Sequence, residues 1–105
     1  MGLDMFLMSS DEVELGYWRK DPNLHGYIVN TFANGVDECQ PINLSIDDLN
    51  DIISAVKEKR LPETTGFFFG KSDGYYDKYT VDVLNDAINK LTEDPELAIY
   101  YRASW

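Results

Sequence analysis

A chain of 105 residues carries one domain's worth of polypeptide and leaves no room for two. With 44% hydrophobic and 13% aromatic residues it is too apolar to be disordered, and a domain of this size folds on a single core without disulfides or metal. Nineteen Asp and Glu against nine Lys and Arg give a formal charge of −10, a field that repels DNA, RNA and anionic membranes and argues against direct nucleic-acid binding.

The N-terminal stretch from Leu3 to Met8 reads as a short buried strand. It carries Asp4, has no basic leader and is too short to span a bilayer. Gly2 does not complete a myristoylation signal, because position 4 is acidic and position 6 is Phe. Ser9-Ser10-Asp11-Glu12 is a polar connection to a second extended piece, Val13 to Trp18. Asp21-Pro22 is a helix start, with Asp21 as N-cap and Pro22 in the first helical position. Leu24, Tyr27, Ile28 and Phe32 then share a face, and Asn34-Gly35 closes the segment.

Ile42 to Leu44 reads as a strand leading into the clearest helix. Ser45 and Asp48 form an approximate capping box, followed by Ile46, Leu49, Ile52, Ile53 and Val56 at helical spacing. Asp47, Asp48 and Asp51 near its start and Lys57, Lys59 and Arg60 near its end complement the helix dipole, and Pro62 is expected to end it. Phe67 to Phe69, between Gly66 and Gly70, reads as a buried strand. A loop over residues 71–77 precedes a second amphipathic helix bearing Val81, Leu84, Ala87, Ile88 and Leu91. Asp94-Pro95 stops that helix, and Leu97 to Trp105 is a final aromatic strand. Short strands separated by two firm helices and one weaker one predict a single α+β domain over residues 1–105, a small, mostly antiparallel sheet packed against two to three helices.

Motifs for common chemistries are missing or incomplete. Gly66 to Ser72 resembles a phosphate loop, but three residues rather than four separate its glycines, and all three are Phe. Asp73-Gly74-Tyr75-Tyr76-Asp77 lacks the alternating carboxylates and closing Glu of a calcium loop. His25 is the single histidine and Cys39 the single thiol, so there is no zinc spacing and no internal disulfide, and the thiol points to a reducing compartment. A Cys39–His25 nucleophile pair has no local activating feature, and no carboxylate pair stands out for acid–base work. No enzyme activity and no cofactor are expected.

Two features carry function. The first is acidic: Asp47 with Asp51, and Asp82 with Asp86, pair like charges four residues apart on helix faces opposite the apolar stripes, a mildly destabilising arrangement. Carboxylates so spaced either serve solubility or imitate phosphates before a basic surface. The second is a cluster of aromatic and basic residues. Tyr17, Trp18, Arg19, Lys20, His25 and Trp105, with Lys71 and Arg102 nearby, could hold a small anionic ligand such as a nucleotide by stacking and ion pairing. Alternatively the two tryptophans belong to the core, with the arginines paired to surplus acids.

The segments Met1-Gly2-Leu3-Asp4-Met5, Leu15 to Lys20, Thr65 to Gly70 and Tyr100 to Trp105 resemble, nearly end to end and in the same order, a set of small proteins encoded by bacteriophages and prophages. The resemblance transfers no catalytic residue. It implies an accessory protein made in the cytoplasm of an infected bacterium, where such proteins bind and block host factors, including defence systems in the manner of anti-CRISPR proteins. The expected partner is then a nucleic-acid-handling or antiviral host protein with a basic surface, met by Asp47, Asp51, Asp82 and Asp86. No membrane partner is expected, and the oligomeric state is left open.

Overall fold

Alternation of period two builds the sheet. In strand β1 (Asp4–Ser9) Met5, Leu7 and Ser9 are buried while Asp4, Phe6 and Met8 face the other way. Strand β2 (Glu14–Arg19) buries Gly16 and Trp18 and exposes Tyr17 and Arg19. The connection between them turns at Glu12, which sits at φ 65°, and is closed by the Glu12 N–H donating to the Ser9 carbonyl at 2.9 Å. The computed structural model describes residues 2–19, 21–64, 74 and 76–105.

Helix α1 (Pro22–Phe32) follows, then strand β3 (Ile42–Leu44), helix α2 (Ile46–Lys57), helix α3 (Asp77–Glu93) and strand β4 (Ile99–Ser104). Every strand pairing is antiparallel, and the order across the sheet is β2-β1-β4-β3. The first and last strands are therefore central neighbours, with Asp4 opposite Ser104 and Ser9 opposite Ile99. A bulge between Leu7 and Met8 shifts the β1–β2 register so that Met8 meets Glu14. The expected α+β fold is the one observed.

The capping box of α2 is complete: the Asp48 N–H donates to Ser45 Oγ at 3.1 Å, and the Ser45 N–H donates to Asp48 Oδ2 at 3.0 Å. The end of this helix differs from the expectation. It closes at Lys57, well before Pro62, with Lys59 at φ 55°. The Lys59 N–H reaches the Val56 carbonyl at 3.2 Å and the Arg60 N–H reaches the Ala55 carbonyl at 2.8 Å. That is the double-bonded left-handed cap usually given to glycine, here made by lysine, and it stops the helix without proline. Asp21 stands at the N-cap of α1 as anticipated, but without a side-chain capping bond; it is buried, and its carbonyl accepts from the His25 N–H at 3.1 Å. The expected Phe67–Phe69 strand and the glycine loop around it lie outside the described residues.

All three helices cover one face of the sheet. Met5, Leu7, Trp18, Ile99 and Tyr101 meet Leu24, Leu49, Ile52 and Leu84 in a single core, each large apolar side chain contributing about 1.5–3 kcal/mol on burial. The β2 edge is closed by tyrosine hydroxyls. The Tyr17 N–H donates to Tyr79 Oη at 3.0 Å, and the Arg19 N–H donates to Tyr76 Oη at 3.3 Å. Backbone donors that would template another strand are thereby occupied.

Candidate functional site

The helical layer presents the carboxylates singled out from spacing. On α2 the buried stripe is Leu49, Ile52, Ile53, Ala55 and Val56, and on α3 it is Thr80, Val83, Leu84 and Ala87. At 100° per residue Asp47 and Asp51 fall on the far side of α2, and Asp82 and Asp86 on the far side of α3. All four are exposed. Since α2 and α3 pack directly on each other, both pairs belong to the solvent side of one helical layer.

Two of these carboxylates have local partners. Asp51 Oδ2 accepts from Tyr27 Oη at 3.1 Å, and Tyr27 ionises above the usual tyrosine range because of partial burial and then this bond. Asp82 Oδ2 lies 3.1 Å from Lys78 Nζ in an exposed pair one helical turn apart, a contact that adds little stability. Neither contact buries its carboxylate, so the layer remains an acidic surface able to meet cations or a basic protein.

The described aromatic and basic residues fall on two faces of the sheet. β2 alternation turns Tyr17 and Arg19 to the open face of the sheet and Trp18 beneath it. Trp18 is 2% exposed, donates from Nε1 to Thr80 Oγ1 at 2.8 Å and stacks edge-on with Tyr79 at 5.7 Å. It is a core residue. Tyr17 Oη donates to Asp4 Oδ1 at 2.7 Å, a bond that raises its pKa, and Arg19 Nε approaches the same oxygen at 3.9 Å. His25 is buried under the opposite face, and Trp105 stands half-exposed at the end of β4. The pleat thus sets Tyr17 on the face opposite Trp18 and His25. Lys20 and Lys71 lie outside the described residues.

The structure assembles instead a buried polar chain that spacing did not reveal. His25 Nδ1 lies 2.6 Å from Tyr101 Oη, and His25 Nε2 lies 3.0 Å from both carboxylate oxygens of Asp37. Asp37 Oδ1 also accepts from Trp105 Nε1 at 3.2 Å. Burial first, then the negative charges of Asp37 and Asp21 and a contribution from Cys39, push the Tyr101 phenol well above the ordinary tyrosine pKa. Where the phenol donates to Nδ1, the matching imidazole tautomer carries its proton on Nε2, toward Asp37. Both ring nitrogens of His25 thus have hydrogen-bonding partners. A sequence signal for this role did exist: His25 falls on the same stripe of α1 as Leu24 and Ile28, where a histidine is buried and must find partners.

Among the described residues no three His, Cys, Asp or Glu side chains are grouped to hold a metal ion, and no helix is long and apolar enough to cross a membrane. The chain matches no protein-family model, no curated protein and no solved structure.

Proposed function

We propose that this chain is a small acidic binding protein that covers a basic surface of a nucleic-acid-handling or defence protein, in the infected bacterial cytoplasm that its resemblance to phage proteins implies. The observation that carries the reading is the exposure of Asp47, Asp51, Asp82 and Asp86 on one solvent-facing helical layer of a chain with net charge −10. Carboxylates on helices project from a backbone that is already ordered, so they meet a groove shaped for phosphates without the added cost of ordering a loop. The long-range field steers the encounter and makes it sensitive to salt. Blockade would be steric and electrostatic, with no bond made or broken.

The test is affinity capture from nuclease-treated bacterial lysate at low and at high salt, with the wild type and with an Asp47→Asn/Asp51→Asn/Asp82→Asn/Asp86→Asn variant. Capture of a nucleic-acid-binding or defence protein that high salt releases and the variant loses would support the reading. A partner held equally by the quadruple variant would overturn it.

A further inference from the structure

No described element covers the face of the sheet turned away from the helices, and its residues form a small grid. Reading from β2 through β1 to β4, the rows are Arg19–Asp4–Ser104, Tyr17–Phe6–Arg102 and Glu14–Met8–Tyr100. Phe6, Met8, Tyr17 and Tyr100 make its middle, with the Phe6 and Tyr17 rings 5.2 Å apart. A groove of about 460 Å³ runs over Phe6 and Met8 between Arg102 on one side and Glu12 and Glu14 on the other. Aromatic, Met and Arg side chains are the types enriched in protein interfaces.

We propose that this face is a self-association surface on which a second copy of the chain packs sheet against sheet. Charge permits this occupant. The face and its rim hold two arginines, Arg19 and Arg102, against three carboxylates, Asp4, Glu12 and Glu14, whereas the whole chain carries −10. It is therefore a nearly neutral surface on a strongly acidic molecule, where two like-charged copies can meet. A nucleic-acid strand needs a positive track, which those carboxylates deny.

A two-fold axis along β1 completes the match. It exchanges the β2 and β4 sides, so that Arg102 of each copy faces the Tyr17 ring of the other with that copy's Glu14 one row away, while Phe6 packs on Phe6. Opposed sheets lie about 10 Å apart, and each acidic helical layer then faces outward with two sheets between them, separated by more than the Debye length of about 8 Å at physiological salt. The pair would display the acidic layer twice, once on each side.

Size makes the association weak. Three strands of six residues offer a footprint on the order of 300 Å², well under half of the roughly 800 Å² that each partner buries in a standard interface. Salt acts in a distinctive direction. Screening the mutual repulsion of two −10 chains tightens the pair, whereas the same screening loosens an acidic layer from a basic partner. The two readings are therefore separable.

Sedimentation equilibrium from roughly 5 µM to roughly 1 mM, at about 20 mM and about 200 mM NaCl, tests the proposal. We expect a monomer–dimer equilibrium that shifts toward dimer at the higher salt. Arg102→Glu, at an exposed position, should raise the dissociation constant at least roughly tenfold with an unchanged circular dichroism spectrum, and Tyr17→Glu should do the same. Asp86→Lys on the helical layer should not weaken the dimer. A monomer throughout at both salts, or a dimer insensitive to both sheet-face variants, would overturn the assignment.

Discussion

Tyr101 and His25 face each other in the core with their ring centroids 5.8 Å apart, and the phenolic oxygen stands 2.6 Å from Nδ1. The contact ties the central strand β4 to helix α1, and Asp37 extends the tie into the connection between α1 and β3. Buried polar groups are costly unless partnered, so the buried His25 and Tyr101 depend on each other.

His25→Leu removes the partner of the Tyr101 hydroxyl and one partner of Asp37 together. We expect a loss of about 2–4 kcal/mol in urea unfolding. Tyr101→Phe alone should cost less, because the imidazole keeps Asp37. The double variant should fall short of the sum by about 1 kcal/mol or more, and strict additivity would show that the two side chains are not energetically coupled.

Alkaline pH should unfold the protein through Tyr101. Its folded-state pKa is raised well above 10.0, so the folded protein holds the phenolic proton more tightly than the unfolded chain does. The associated stability is fully present below pH 10 and is lost as pH rises from there toward the folded-state pKa. Urea midpoints should decline above about pH 10, and Tyr101→Phe should flatten that decline. An equally steep decline in the variant would assign the effect to other groups.

Gly16 is required by close packing. A Cβ there would sit 2.6 Å from Val83 Cγ1 and 2.9 Å from Trp18 Cη2, inside β2 where it passes under α3. Gly16→Ala should destabilise by about 1–3 kcal/mol through overpacking, and Val83→Ala in the same chain should recover part of that loss. Thermal melts of the wild type and the two variants decide it; an unshifted Gly16→Ala melt contradicts the packing.

The two tryptophans should differ in fluorescence. Trp18 is 2% exposed and Trp105 is 44% exposed. Trp105→Phe should leave a blue-shifted emission that iodide barely quenches. Thr80→Val should cost about 1–3 kcal/mol, because Trp18 Nε1 then loses its buried acceptor. Strong quenching in Trp105→Phe would place Trp18 at the surface.

Local physics alone determined much of this protein. Helical spacing and the Ser45–Asp48 box define α2 because both signals act within four residues, and the 3.6-residue period sends Asp47, Asp51, Asp82 and Asp86 to solvent wherever the helices dock. Period two likewise dictates that Tyr17 and Trp18 point to opposite faces, although residue type alone grouped them as a single binding cluster. What the chain could not disclose in sequence is non-local. The insertion of β4 between β1 and β3 joins residues nearly a hundred positions apart, and no residue type encodes that register. The same pairing, together with the docking of α1, carries Tyr101 to His25 across 76 positions and leaves the opposite face of the sheet bare of described elements. Tertiary structure decided both, because burial and polar partnership depend on which surfaces meet, whereas spacing reports only which residues share a face.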